Sequence, residues 1–113
     1  MNQACDLQSK RCIPCEGGIP PLSEDKIGLL LKEINDWKIN SEKTKISRHF
    51  SFKNFYKTMS FVNAIAWIAN QENHHPDLEV GFNYCTVHYS THAINGLSEN
   101  DFICAAKIDA LCL

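Results

Sequence analysis

The segment from about Phe52 to Asn73 constrains the fold of this chain most, because it is the longest run with a helical period. Its apolar residues recur at spacings of three and four and include Phe55, Met59, Val62, Ala66 and Ala69. A helix of this length measures roughly 30 Å, given its rise per residue. Pro76 cannot continue it and favours an extended conformation at the residue before it. We therefore expect a small domain built around one long helix.

Four segments of alternating polarity flank this helix and predict two β-hairpins. They are Trp37–Ile39 and Lys45–Phe50 before the helix, and Leu78–Val80 and Tyr84–Thr91 after it. In the last strand Val87 and Tyr89 are predicted to face the core. His92 is predicted to project with the polar residues if the strand stays regular that far.

Two further helices are predicted at the ends of this pattern. Ser23 is a suitable N-cap for the first, and Ser98 with Asp101 gives the signature of a capping box at the start of the last. The element order is α-β-β-α-β-β-α, and the short turns between neighbouring strands favour antiparallel pairing. The predicted fold is therefore an α+β sandwich, a four-stranded antiparallel sheet with three helices packed on one face.

Residues 1–21 show no apolar periodicity and contain Gly17-Gly18 and Pro20-Pro21. We interpret them as an irregular N-terminal arm, and residues 22–113 as the domain. The arm is expected to contribute no core and to be dispensable for folding.

The arm holds three of the six cysteines, Cys5, Cys12 and Cys15. Cys12 and Cys15 form a CxxC pair, but a zinc site needs four ligands and only Cys5 lies nearby as a third. A disulfide framework needs a secretory context, and no signal-peptide pattern opens the chain. The other three, Cys85, Cys104 and Cys112, are predicted to be buried free thiols.

The composition argues against two classes of partner. A net charge of -2 gives no basic surface for nucleic acid. The apolar runs are too short to cross a bilayer. We therefore expect a cytoplasmic protein that binds neither nucleic acid nor membrane.

Three of the five histidines fall where regular elements end. His74 and His75 stand between the long helix and Pro76, and His92 ends the second hairpin. Imidazoles at a helix end can simply bond the last carbonyl groups, whereas three converging imidazoles suit proton transfer near neutral pH. The spacing alone leaves both interpretations open. Asp101 is explained by its place in the capping box.

A metal site is the rival functional interpretation, since three histidines and a carboxylate are ligands that zinc accepts. No HExxH-like pairing lies on one helical face, and adjacent histidines rarely both reach one ion. We therefore predict a site that uses no metal and no cofactor.

These residues resemble the pterin-4a-carbinolamine dehydratases. The resemblance is carried by His74-His75-Pro76, the aromatic Phe82, Ser90-Thr91-His92 and the run Gly96-Leu97-Ser98-Glu99-Asn100-Asp101-Phe102. Trp37 and the helix start Phe52-Lys53-Asn54-Phe55 are also similar to the family. The similarity extends over roughly residues 22–113.

The resemblance implies a hydro-lyase that removes water from 4a-hydroxytetrahydropterin to give quinonoid dihydropterin. That reaction restores the tetrahydrobiopterin-type cofactor of aromatic amino-acid hydroxylases. The resemblance also implies that the protein forms a homodimer or homotetramer. The implied catalytic residues are His74, His75 and His92, without an assignment of acid and base. The implied substrate-binding residues are Asn73, His74, His75, Ser90, Thr91 and His92, with Asp101 beside them.

One position departs from the family pattern. Many members carry Glu four residues before the first histidine, where this chain has Asn70. On a helix that position lies one turn from His74, and Asn brings no charge to it. The nearest acid, Glu72, is predicted to lie on a different side of the helix. Activity is therefore expected to be weaker or to depend on Asp101.

Two alternatives use the same scaffold. One is a non-catalytic pterin-binding or dimerisation module, which would have no need of the three histidines. The other is a protein of a different pterin-dependent pathway, such as that of molybdopterin enzymes.

Overall fold

The computed structural model describes residues 7–14 and 19–111, and the predicted α+β fold is confirmed. After a helical turn at residues 7–9, the elements are helix α1 (Glu24–Leu31), strands β1 (Lys38–Ile39) and β2 (Ile46–Ser51), helix α2 (Phe55–Glu72), strands β3 (Asp77–Val80) and β4 (Tyr84–Tyr89), a 3-10 turn (His92–Ile94) and helix α3 (Glu99–Asp109). No helix in these ranges has the length and apolar character needed to cross a membrane.

Within the described residues the strands form one antiparallel sheet in the order β1-β2-β4-β3. At its centre β2 pairs with β4 from Ile46–Tyr89 to Ser51–Tyr84. One face carries the buried strand residues and packs against the helices: Ile46, Phe50, Cys85, Val87 and Tyr89. The predicted inward orientation of Val87 and Tyr89 is thereby confirmed. The opposite face is polar, and there His88 bonds to Ser47 and Glu79.

Side chains determine where the helices begin. Ser23 Oγ accepts a backbone N–H of the first turn of α1 at 3.2 Å, as predicted. Asn54 Oδ1 accepts the N–H of Lys57 at 2.9 Å. Helix α2 therefore begins at Phe55, although the apolar periodicity extends back to Phe52. Asn is a strong N-cap, and its hydrogen bond outweighs the pattern upstream of it.

The expectation that the arm contributes no core is wrong. Leu7 is 2 % exposed and belongs to the main hydrophobic cluster. The carbonyl of Gln8 accepts a hydrogen bond from Lys107 Nζ on α3 at 2.8 Å. Cys12 Sγ lies 3.6 Å from Cys104 Sγ, also on α3. The described part of the arm is therefore packed against the last helix.

The cysteines are free thiols wherever the structure describes them. Cys85 and Cys104 are buried, as predicted, and Cys12 is half-buried. Cys5, Cys15 and Cys112 lie outside the described residues. Within residues 7–14 and 19–111, no group of three or more His, Cys, Asp or Glu side chains is arranged to hold a metal ion.

Leu7→Ala tests the contribution of the arm to the core. We expect it to lower the free energy of unfolding by about 2–5 kcal/mol, the usual cost of truncating a buried Leu. Leu29→Ala is the matched control, because Leu29 is 62 % exposed and surface substitutions usually change stability by less than about 0.5 kcal/mol. Denaturant titration gives both values. Equal midpoints for the two variants would mean that the arm adds nothing to the core.

Candidate active site

The end of α2 directs two histidines out of the helix. Asn73 is its C-cap and adopts the left-handed conformation, with φ 52° and ψ 41°. Asn tolerates this conformation better than other residues with a side chain. The backbone N–H groups of Asn73 and His74 both bond to the carbonyl of Ala69, the latter at 3.2 Å. This turn separates His74 and His75 from the helical path, so both side chains lie at an element end, as predicted.

The third histidine is held by a different local structure from the one predicted. Strand β4 ends at Tyr89, and His92 begins a 3-10 turn. Thr91 and Gly96 close this segment, since the N–H of Thr91 bonds to the carbonyl of Gly96 at 2.8 Å. His92 therefore does not continue the alternation of the strand. Its exposed side chain is positioned by the turn.

Asp101 joins the strand end, the helix start and the first histidine. Its carboxylate is fully buried. Oδ2 accepts hydrogen bonds from Thr91 Oγ1 at 2.8 Å and from the N–H of Ser98 at 3.0 Å, and the predicted capping box is formed. Oδ1 lies 2.7 Å from His74 Nε2. Asp101, the acidic residue of the capping box, is thus also the hydrogen-bond partner of His74.

His74 is held in a position that favours its charged form. Its ring stacks on Tyr89 with centroids 5.6 Å apart. Burial alone would lower the pKa of His74, but the hydrogen bond to Asp101 and its negative charge, with a contribution from Cys104, raise that pKa above the ordinary value. Among the described residues none bonds to Nδ1 of His74. That nitrogen can therefore form a hydrogen bond with a molecule bound beside it.

A cavity of about 440 Å³ lies between these elements. Six of the seven predicted site residues line it: Asn73, His74, His75, Ser90, Thr91 and His92. Asp101 lies behind His74 and does not line the cavity, so its link to the cavity is the hydrogen bond to the imidazole. Direct contact between Asp101 and the substrate, which the resemblance implied, stays a prediction.

Residues of the arm complete the cavity, and no pattern in the sequence predicted them. Cys12, Ile13 and Pro14 line it together with Glu72 and Asn100. The contacts join residues far apart in the sequence, and no periodicity in the arm indicates them.

Glu72 connects the arm to the site. It faces away from the side of α2 on which Asn70 lies, as predicted, but its side chain is only 5 % exposed because the arm covers it. Oε1 accepts the N–H of Cys12 at 2.7 Å, and Oε2 lies 2.9 Å from Nε of Arg11. Burial would raise the pKa of Glu72, but the Cys12 N–H and the charges of Lys107 and Arg11 lower it.

Asn70 does not line the cavity that holds the three histidines. It is exposed and borders a separate depression with His75, Pro76 and Leu78, beside β3. Among the described residues, Glu72 is the carboxylate that lines the cavity, and Asp101 bonds to His74 behind it.

Comparison with known proteins identifies one family. A family model described as pterin 4 alpha carbinolamine dehydratase matches residues 20–111. A protein of Nitrosomonas eutropha named "Putative pterin-4-alpha-carbinolamine dehydratase" is 57% identical over 112 residues, which cover 98% of this chain and 97% of the relative. A Legionella pneumophila protein of the same name is 63% identical over 107 residues, covering 94% of this chain and 95% of the relative.

Two solved structures share the fold. A transcriptional coactivator/pterin dehydratase from Brucella melitensis aligns with a TM-score of 0.76 and 30% identity, over 80% of this chain and 96% of that one. A pterin dehydratase-like RuBisCO assembly factor of the alpha-carboxysome aligns with a TM-score of 0.58 over 67% of this chain and 88% of that one. At 21% identity the second shows a common fold alone. The chain therefore belongs to the pterin-4a-carbinolamine dehydratase family of hydro-lyases, as its histidines and capping box predicted.

Proposed function

We propose that this protein dehydrates 4a-hydroxytetrahydropterin to quinonoid dihydropterin by histidine acid–base catalysis. The observation that carries the proposal is the cavity that brings His74, His75 and His92 together, with Asp101 behind His74. Asn73, Ser90 and Thr91 line the same cavity and are proposed to contact the pterin ring.

The reaction needs two proton transfers at neighbouring atoms. An acid protonates the 4a-hydroxyl group so that it leaves as water, and a base removes the proton from the adjacent ring nitrogen. Positioned imidazoles can do both. Three histidines around one cavity supply enough groups for an acid and a base.

We assign the role of the acid to His74. The buried carboxylate of Asp101 favours the imidazolium form, and Nδ1 is the nitrogen that can deliver the proton. His75 and His92 are exposed in the cavity and are left to act as the base. Asp101 thus supplies the negative charge that Asn70 does not.

The experiment is stopped-flow dehydration of chemically generated 4a-hydroxytetrahydropterin, corrected for the uncatalysed reaction. We expect a clear acceleration that declines as the pH rises through the raised pKa of His74, because the acid form of His74 is lost there. Tight pterin binding without acceleration would instead identify the non-catalytic binding module. Absence of both binding and acceleration would refute the proposal.

The proposal also covers the metabolic role, the cellular location and the oligomeric state of the protein. The reaction would recycle a tetrahydrobiopterin-type cofactor for aromatic amino-acid hydroxylases. Buried free thiols at Cys85 and Cys104 suit the reducing cytoplasm. A homodimer or homotetramer is supported by the outer edge of β3, which pairs with no other strand among the described residues, since an unpaired strand edge favours pairing with another chain.

A further inference from the structure

We propose that Cys12, Ile13 and Pro14, the cavity segment of the arm, form a wall of the pterin site and increase its affinity for pterin, with Asn100 as the residue that positions them. The inference rests on the proposed function, because it assigns part of the substrate contact to the arm. It starts from the arm residues that line the cavity beside the histidines.

Asn100 holds the backbone of the arm at two points. Its Nδ2 donates to the carbonyl of Ile13 at 2.6 Å, and its Oδ1 accepts the N–H of Ile13 at 3.0 Å. One side-chain amide thus binds both backbone groups of a single residue, in the way that a neighbouring strand would. Asn100 is itself buried, at 7 % exposure. This orientation restricts Ile13 to one position.

Glu72 fixes the preceding residue, because its Oε1 accepts the N–H of Cys12 at 2.7 Å. Glu72 lies two residues before His74, and Asn100 directly precedes Asp101. The elements that hold the His74–Asp101 pair are therefore the elements that hold the arm. The distance between the arm and the imidazole is set by the same short stretches of backbone.

The chemistry of the cavity segment suits the face of a flat heteroaromatic ring. Ile13 is 73 % exposed although it is apolar and its backbone is fixed. Pro14 beside it has no backbone N–H group, and its ring fixes the backbone dihedral φ. The same cavity is also lined by the three imidazoles and by Ser90. A pterin ring would place its polar, reacting edge near the imidazoles and bury apolar ring surface against the arm.

Asn100→Ala removes the two hydrogen bonds to Ile13. We expect the dissociation constant for 7,8-dihydrobiopterin, a stable pterin probe, to rise about fivefold to tenfold by calorimetry, as expected when hydrogen bonds that preorganise a site are lost. In stopped-flow dehydration KM should rise similarly while kcat stays within about threefold. Amide exchange at Ile13 should accelerate, which reports directly on the released arm.

Glu99→Gln is the matched control. Glu99 also links the arm to α3, through an ion pair with Lys10 at 2.9 Å. This pair is exposed, and neither residue lines the cavity with the histidines. The control should leave pterin affinity, KM and kcat unchanged, so that any effect of Asn100→Ala cannot be attributed to a general loosening of the arm.

Ile13→Ala keeps the inference testable if Asn100→Ala does not fold, because an exposed side chain is truncated. It should weaken 7,8-dihydrobiopterin binding by about threefold to tenfold, the worth of roughly one buried apolar contact. Unchanged affinity in Ile13→Ala and in any folded Asn100→Ala protein, with the wild type binding normally, overturns the role of the arm and leaves the proposed function intact. A lower kcat with unchanged affinity in Asn100→Ala also overturns it, by placing the effect on His74. Failure of the wild type to bind pterin overturns both.

Discussion

His75→Ala and His92→Ala are each expected to lower the rate of dehydration by roughly 10²–10⁴-fold, the usual worth of a positioned acid or base. Both side chains are exposed and line the cavity. His75 follows the end of α2, and His92 begins the 3-10 turn. Neither contributes to the hydrophobic core. The variants should therefore fold normally, and stopped-flow kinetics should report a catalytic loss alone.

His88→Ala is the internal control for these variants. His88 lies on β4 close to His92 in the sequence, but it faces the polar side of the sheet and bonds to Ser47 and Glu79. Its removal should leave the rate nearly unchanged. Near wild-type rates in both His75→Ala and His92→Ala would mean that no proton transfer depends on them, and the binding-module interpretation would replace the enzyme.

Asp101→Asn is expected to affect both stability and catalysis, because a single buried carboxylate serves the capping box and His74. The free energy of unfolding should fall by about 3 kcal/mol, as for removal of one partner from a buried pair. Without the charge of Asp101, burial dominates and the pKa of His74 falls. The decline of the rate with rising pH should then occur at lower pH than in the wild type.

The pH dependence of stability gives an independent measurement of the same pair. The pKa of His74 is raised in the folded protein. The stabilisation that the charged His74–Asp101 pair contributes is therefore fully present below the pKa of about 6.5 that a histidine has in the unfolded chain. It is lost as the pH rises through the folded pKa. The stability difference between wild type and Asp101→Asn should therefore be larger at pH values below about 6.5 than in alkaline solution. A difference that does not vary with pH would contradict a charged His74. Glu99→Gln, an exposed acid in the same helical turn, should show little effect at any pH.

Much of the fold follows from local patterns in the sequence. The period of α2, the alternation in β4 and the Ser98–Asp101 capping box each depend on residues close together in the chain. The histidines could be located for the same reason, because Pro76 ends the helical path next to two of them. Their convergence on one cavity then follows from the order of the elements.

The packing of the arm against the domain could not be predicted from local patterns. Leu7 is an isolated apolar residue without a periodic partner, and Asn100 bonds to Ile13 across most of the chain. Such contacts form only after the domain has folded around them. The place of Glu72 was missed for the same reason, since its contacts with Arg11 and Cys12 of the arm and with Lys107 of α3 join residues far apart in the sequence.

A crystal structure with bound 7,8-dihydrobiopterin tests the central claim most directly. The ring is predicted to lie in the cavity of about 440 Å³, between His74–His75 and His92, with one face against Ile13. A ring bound on the polar face of the sheet near His88, or in the separate depression beside Tyr56 and Phe52, would contradict it.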